Sequence, residues 1–133
     1  MKKVRITIPN LPLTSRRYES YLELDEEANF VDVIMKVDEE ISGKAYSLTH
    51  SVWDPFRNRI YNQVAMFAYV AEPNNNLSPR IRSDPRFVLP DGVVITLQPS
   101  GPCITDWEDP IDYNTFLKGV EAYKKDKTKS LDI

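Results

Sequence analysis

The chain begins with a strict alternation of apolar and polar residues over the segment VRITI (4–8). Because successive side chains of a strand point to opposite faces, this alternation predicts a strand with one buried and one solvated face. Leu22 and Leu24 repeat the alternation and predict a second strand over 18–24. We expect the two segments to pair as an N-terminal hairpin with a rather long connection.

The segment after the second strand has the periodicity of a helix. Its apolar residues recur at intervals of about one helical turn and are Phe30, Ile34, Val37 and Ile41. Asn29 is suited to the N-cap, and Asp32 stands where a capping box places its acidic partner. Gly43 occupies the position at which a left-handed residue ends many helices. The start, the period and the end therefore agree on one amphipathic helix.

Two more strands are predicted further along the chain. The near-continuous apolar run VAMFAYV (64–70) is typical of a central strand buried on both faces. The turn PDG (90–92) precedes a second alternation, VVITL (93–97), which predicts a closing strand. The aromatic-rich segment 44–62 is expected to be an insertion that contains an extra strand or hairpin. The segment 72–79, rich in asparagine and proline, is expected to be a surface loop.

The C-terminal part contains a further helical pattern. Asp112 is expected to cap a short helix whose apolar stripe consists of Tyr113, Phe116, Leu117 and Val120. Gly119 weakens such a helix by roughly 1 kcal/mol. Because an isolated short helix is marginal in water, something must cover the stripe. We expect the helix to pack near the central strand, with its outer edge available to a partner, and the charged end 124–133 to fray.

Composition and charge narrow the class of protein. The 133 residues are 41% hydrophobic, which suits one domain with an adequate core. The net charge of −3 gives no electrostatic case for nucleic-acid binding. No apolar run reaches the length of a signal peptide or a membrane span, so we expect a cytoplasmic protein without membrane contact. The single cysteine excludes an internal disulfide and a multi-thiolate metal site.

The order strand, strand, helix, strand, turn, strand is shared with a known superfamily. The segments that carry the resemblance are KVRITIP (3–9), FVDVIMKVDEEISG (30–43), VAMFAYVAEP (64–73) and DPRFVLPDGVVITLQPSGP (84–102). The chain resembles the sulfur-carrier (ThiS/MoaD-like) branch of the ubiquitin-like β-grasp superfamily. The resemblance implies an α+β fold in which one grasped helix packs across a mixed sheet. It places a β-grasp domain at 1–102 and a C-terminal extension with a short helix at 103–133.

In that family a terminal Gly-Gly is adenylated and thiolated. The matching place in this chain reads SGPC (100–103), and the carboxyl of Gly101 is held in a peptide bond to Pro102. Our leading interpretation is therefore a non-catalytic β-grasp interaction protein, a small accessory subunit of a larger enzyme complex. The alternative is a sulfur carrier or ubiquitin-like modifier that requires C-terminal processing.

Few residues suggest catalysis or metal binding. Cys103 and His50 are the sole thiol and imidazole and could form a nucleophilic pair, but a lone cysteine after a strand is more often a small buried hydrophobe. The carboxylates of an acidic loop could bind calcium or face water; they are Asp106, Glu108, Asp109 and Asp112. Arg80, Arg82 and Arg86 could meet a phosphate or an acidic partner, or form a basic rim without a functional role. We predict no catalytic residue, no cofactor and no metal ion.

Aromatic residues and arginines concentrate in the insertion, in the segment after it and in the tail. Residues of these types dominate interface hot spots. We predict a protein-binding surface formed by Trp53, Phe56, Tyr61, Arg80, Arg82, Trp107, Phe116 and Leu117. The same aromatic residues could instead fill a second small core beneath the insertion, and the sequence does not separate these two interpretations.

Overall fold

The computed structural model describes residues 1–9, 17–71, 75–99 and 107–131. Its strands are β1 (Lys2–Ile8), β2 (Tyr18–Leu24), β3 (Trp53–Asp54), β4 (Arg59–Ile60), β5 (Val64–Val70) and β6 (Val93–Pro99). Its helices are α1 (Phe30–Ile41), α2 (Ser47–Val52), α3 (Ser78–Ser83) and α4 (Tyr113–Leu131), with a 3-10 turn at Gly43–Ala45. Within these ranges no helix combines the length and the apolar character that a membrane span requires.

Four strands form a mixed sheet in the order β2-β1-β6-β5. β1 is antiparallel to β2 and parallel to β6, and β5 is antiparallel to β6. The chain is therefore an α+β protein, and the predicted N-terminal hairpin and closing strand are confirmed. β3 and β4 form a separate antiparallel pair, which is the hairpin predicted inside the insertion.

α1 begins and ends where its sequence signals place it. The Asn29 side chain accepts a hydrogen bond from the Asp32 backbone N–H, and the Asp32 side chain accepts one from the Asn29 N–H, both at 3.0 Å. Gly43 follows the helix with a φ of +64°, the left-handed conformation that glycine adopts at low cost. The predicted apolar positions are fully buried except for Ile41, which is exposed at the last turn.

One face of the sheet and α1 share a continuous hydrophobic core. Alternating residues of β1 and β6 are fully buried on this face, namely Val4, Ile6, Ile8, Val93, Ile95 and Leu97. Pairs such as Ile6 and Ile95 lie side by side across the parallel strands. Because each such side chain contributes roughly 1.5–3 kcal/mol on burial, this face supplies much of the stability. We call it the inner face and the opposite side the outer face.

The position of β5 differs from the prediction. It lies at the edge of the sheet rather than in its centre, and its residues alternate between buried and accessible. Val64, Met66 and Ala68 are buried, whereas Phe67 on the outer face is 42% exposed. The prediction of a central strand buried on both faces is therefore wrong. The apolar run reflects an outer face that carries aromatic residues, not a second covered face.

The free edge of β5 is covered by the segment that leads into α3. The Leu77 N–H donates to the Ala68 carbonyl at 2.7 Å, and the Ala68 N–H donates to the Ser78 hydroxyl at 2.8 Å. Arg82 reaches back from α3 and donates to the carbonyl of Val64. This arrangement protects the strand edge from pairing with other chains, and it shows that the predicted surface loop gives way to a helix at Ser78.

α2 was not predicted, and its position depends on a contact from α1. The fully buried carboxylate of Asp38 accepts hydrogen bonds from the backbone N–H groups of Leu48 and Thr49, at 2.9 and 2.7 Å. Tyr46 precedes α2 with a left-handed φ of 52° and provides no side-chain cap. Asp38 thus satisfies the free N–H groups of one helix with a side chain of another.

α4 is longer than predicted and packs on a different surface. Its buried residues are Phe116, Val120 and Tyr123, and the helix continues to Leu131 through the charged segment that was expected to fray. The Phe116 ring lies 4.9 Å from the ring of His50 in α2, and the Tyr123 ring lies 5.5 Å from that of Trp53 in β3. The helix therefore covers α2 and the β3–β4 hairpin, on the same side of the sheet as α1. The expected position near the central strand is wrong.

Candidate functional site

Three of the predicted partner-binding residues lie inside the chain. Trp53, Tyr61 and Phe116 are buried. Trp53 packs edge-to-face against the Tyr123 ring, and the Tyr61 hydroxyl accepts a hydrogen bond from the Ile111 N–H at 3.2 Å. The other interpretation, that the aromatic residues fill a core beneath the insertion, describes these three residues better, although they belong to the same continuous core as the sheet and α1 rather than to a second one. Their side chains are not accessible to a partner.

The other predicted residues have different environments. Phe56 and Trp107 are 61% and 64% exposed, and Leu117 is partly buried against the core. Arg80 is exposed and stacks on the Phe87 ring, with its guanidinium carbon 4.1 Å from the ring centroid. Arg82 is partly buried at the edge of β5, where desolvation, reinforced by the nearby Arg59, lowers the pKa of its guanidinium. Phe56, Trp107 and Arg80 are therefore the predicted residues that remain open to contact.

The acidic loop and His50 hold the tail against the insertion. Glu108 forms a 2.7 Å ion pair with Arg59, and Asp112 caps α4 by accepting from the Thr115 N–H at 3.2 Å. The His50 Nε2 lies 2.6 Å from the Ile111 carbonyl oxygen, as its N–H donor. Within the part of the chain that the structure describes, no group of three His, Cys, Asp or Glu residues is placed to hold a metal ion.

Cys103 and Asp106 lie outside the described residues, as does the SGPC segment (100–103). A Cys103–His50 pair therefore stays a prediction. The interpretation of residues 100–103 as a processing site is also a prediction.

The outer face of the sheet presents aromatic residues to solvent. Tyr21 is 72% exposed, and Phe67 lies 5.3 Å from Tyr69, centroid to centroid. Arg5 lies in register between Tyr21 and Val94, with its guanidinium carbon 5.5 Å from the Tyr21 centroid. It also forms an ion pair with Glu19, and this hydrogen bond lowers the pKa of the Glu19 carboxyl. The centre of the outer face is thus aromatic and close to neutral.

A cleft of about 470 Å³ opens beside the N-terminus of α1. Tyr123 lines the cleft and donates its hydroxyl proton to the capping box, with the Asp32 Oδ1 at 2.7 Å and the Asn29 Oδ1 at 3.0 Å. Burial, followed by the charge of Asp32, raises the pKa of the Tyr123 hydroxyl. The phenol therefore stays protonated and acts as a fixed donor.

Arg86 lines the same cleft without a carboxylate partner among the described residues. Its guanidinium carbon lies 5.0 Å from the Tyr123 centroid and 6.0 Å from the Trp53 centroid. Its Nε is buried and has no hydrogen-bond partner. Arg86 is thus held by stacking, and its Nε–H has no acceptor among the described residues.

The wall of the cleft that carries Arg86 is fixed by backbone contacts. The Leu89 N–H donates to the Ala28 carbonyl at 3.1 Å, and Val88 bridges Asn29. The Lys2 ammonium is buried and donates to three carbonyl oxygens, those of Glu26, Ala28 and Leu89, at 2.9, 2.7 and 2.6 Å. Desolvation lowers the pKa of Lys2, although nearby carboxylates oppose it. This buried ammonium joins the loop before α1 to the loop after Arg86.

The sequence indicated only part of this cleft. The capping box was visible, and Arg86 stood out as one of three neighbouring arginines. In the structure the three separate, since Arg80 stacks on Phe87, Arg82 reaches Val64 and Arg86 enters the cleft. The contribution of Tyr123 had no signal, because it belongs to a helix whose docking surface the sequence does not specify.

Comparison with known proteins provides no relative from which a function could be inferred, so the functional argument rests on the residues of this chain. No protein-family model matches this chain, and neither the curated proteins nor the solved structures contain a match.

Proposed function

We propose that the chain is a non-catalytic β-grasp protein that binds a protein partner, as a small accessory subunit of a larger enzyme complex. The observation that carries this proposal is the exposure of aromatic residues on the outer face, chiefly Tyr21 and Phe67. The β-grasp assignment is supported by the parallel pairing of β1 with β6 between two outer strands and by the packing of α1 on the inner face.

The outer face has the composition of an interface centre. Aromatic side chains and arginine supply most of the binding energy at protein interfaces, where they are desolvated by the partner. Phe67, Tyr69 and Tyr21 provide such side chains here, and Arg5 lies between them. Because Glu19 already neutralises Arg5, the expected counterpart is an apolar surface rather than a charged one.

A second exposed aromatic pair, Phe56 and Trp107, offers a matched comparison. Both residues are at least as exposed as Phe67. They lie on the insertion and the tail, away from the sheet. If exposure alone determined binding, either pair could serve. The proposal specifies the outer face, because Tyr21 and Tyr69 lie in one register row of the sheet, joined through Arg5 and Val94, and Phe67 lies beside Tyr69.

The experiment compares co-purification of three tagged proteins from the native source. These are the wild type, an outer-face variant (Tyr21→Ser with Phe67→Ser) and a control variant (Phe56→Ser with Trp107→Ser). We expect an enzyme subunit to co-purify with the wild type and the control, and its affinity to fall by roughly 30-fold or more in the outer-face variant, as for a hot-spot pair. Equal capture by all three proteins, or loss only in the control, would contradict the proposal.

The sulfur-carrier alternative has its own observation and its own readout. β6 is the strand beside β1 and ends at Pro99, directly before SGPC (100–103). Intact-mass measurement of protein from the native source distinguishes the two functions. A species that ends at Gly101, or a thiocarboxylate mass shift on it, would favour the carrier. Full-length protein alone favours the accessory subunit.

A further inference from the structure

The starting point is the unused hydrogen-bonding capacity of Arg86. Buried polar N–H groups almost always have an acceptor, so the orphaned Nε shows that no described group of the chain pairs with this part of the guanidinium. Because the Nε itself is buried, a ligand in the cleft would pair with the terminal N–H groups of Arg86, whose side chain lines the cleft. The Arg86 side chain is also preorganised. Its backbone N–H donates to the Asp84 Oδ1 at 3.1 Å, and its guanidinium stacks on Tyr123. A ligand would therefore meet an arginine whose conformational entropy is already lost.

A second donor faces the same cleft. Asn29 uses its Oδ1 twice, for the Asp32 N–H and for the Tyr123 hydroxyl. Among the described residues its Nδ2 has no hydrogen-bond acceptor, although the Asn29 side chain lines the cleft. Arg86 and Asn29 thus offer planar N–H groups to one space of about 470 Å³, a volume typical of small-molecule sites.

The charges around these donors limit what can bind. Asp25, Glu27 and Asp126 also line the cleft. The lysine nearby, Lys127, is already paired with Asp32 at 2.8 Å. A phosphate dianion would be repelled by this acidic rim, whereas a single carboxylate fits the fork of one guanidinium. The same rim attracts a positive group that stands beside the carboxylate.

We infer that the cleft beside the N-terminus of α1 binds a small zwitterion of the amino-acid or dipeptide class, with its carboxylate on Arg86 and Asn29 and its ammonium group towards Asp25 and Glu27. This site lies on the helical side of the sheet and does not depend on the proposed partner surface. It assigns a ligand class to Arg86 and explains why a guanidinium is held there by stacking alone.

The test follows the Arg86 Nε–H resonance by NMR during titrations at constant ionic strength. The probes are glycylglycine, sodium acetate and inorganic phosphate. We expect a saturable shift with glycylglycine, with a dissociation constant on the order of 1 mM, as befits so small a ligand. Acetate should bind more weakly, and phosphate no better than acetate. No saturable shift with glycylglycine, or phosphate as the tightest probe, would overturn the inference.

Three variants separate binding from a structural role of the arginine. Arg86→Lys keeps the charge but loses the planar fork, so glycylglycine affinity, measured by calorimetry, should fall about 10-fold or more. The double variant Asp25→Asn with Glu27→Gln should lose the preference for glycylglycine over acetate. Arg80→Lys, at an exposed stacked arginine, is the control and should bind like the wild type. Unchanged glycylglycine binding by Arg86→Lys would show that Arg86 only packs on Tyr123.

Discussion

The two sides of the sheet use the same strands for different purposes. On the helical side, the inner residues of β1 and β6 are fully buried beneath α1, and α4 closes a further layer over α2 and the hairpin. On the outer face, residues one position away along the strands remain accessible, among them Tyr21 and Phe67. The alternation of a strand thus divides one sequence into a stabilising half and a half available for contact.

The two sides differ in what their side chains contact, namely other residues of the chain on the helical side and water on the outer face. The core on the helical side is held by specific contacts, such as the Asp38 cap of α2 and the Tyr123 contact with the capping box. Interiors of this kind respond to the loss of a single methylene group. The outer face keeps its aromatic rings in water, so their removal should barely change the free energy of unfolding. Mutations on the two sides should therefore separate stability from binding.

The largest expected effect is the removal of α4. Truncation after Asp109 uncovers Trp53 and removes the buried residues Phe116, Val120 and Tyr123. Since each buried apolar side chain contributes roughly 1.5–3 kcal/mol, the loss is comparable to the whole stability of a domain of this size. We expect the truncated chain to lose cooperative thermal unfolding and to aggregate, as measured by calorimetry and light scattering.

A folded, monomeric truncated chain with wild-type melting would contradict the assignment of α4 to the chain's own core. That result would indicate that α4 instead docks on a partner. A truncation after Lys127 serves as the control, because it keeps the three buried residues of α4 and should melt close to the wild type.

The next largest effect is seen by comparing the free energy of unfolding of one variant from each side of the sheet. Ile34→Ala opens a cavity beneath α1 and should lower the free energy of unfolding by about 2–5 kcal/mol because Ile34 is fully buried. Phe67→Ala on the outer face should change it by less than about 1 kcal/mol, as for surface substitutions in general. Urea unfolding measures both variants. Equal losses would mean that the outer face is also covered within the chain.

Gly119→Ala tests whether packing overrides helix propensity. The sequence alone predicts a gain of about 1 kcal/mol, because alanine is the better helix former. In the structure an added Cβ would lie 2.5 Å from Pro55 Cγ and 2.8 Å from Pro55 Cβ. Because a proline ring cannot turn away, we expect a net loss of roughly 1–3 kcal/mol by overpacking.

The control for this test is Ala122→Gly, at an exposed position of the same helix. It should cost about 1 kcal/mol through propensity alone. If Gly119→Ala were stabilising in chemical denaturation, the close approach of α4 to the hairpin would be wrong.

The smallest expected effect is a change in the stability contribution of Tyr18 at alkaline pH. Desolvation and a hydrogen bond to Glu40 raise the pKa of Tyr18 from 10.0 to about 12. A raised pKa favours the protonated phenol in the folded state, so its stabilisation is present below pH 10 and is lost as the pH rises towards 12. The stability difference between wild type and Tyr18→Phe should therefore shrink over this window in pH-dependent urea unfolding. A constant difference would contradict the hydrogen bond between Tyr18 and Glu40.

The sequence by itself determined the elements whose signals are local. The alternation in β1, β2 and β6 predicted strands with the correct buried residues, because side-chain direction in a strand follows from the backbone alone. The bounds of α1 followed from Asn29, Asp32 and Gly43, because a capping box and a left-handed terminal residue act within one helical turn. No information from distant residues was needed for these parts.

Only the tertiary structure decided how the elements cover one another. The apolar run of β5 does not reveal whether its second face meets a helix or water, and the stripe of α4 does not reveal which surface it covers. α2 depends on a cap from Asp38, so the sequence of its own segment contains no signal that predicts it. The cleft combines Asn29, Arg86 and Tyr123, which are far apart in the chain. Contacts of this kind are set by the balance of burial over the whole molecule, which no local pattern contains.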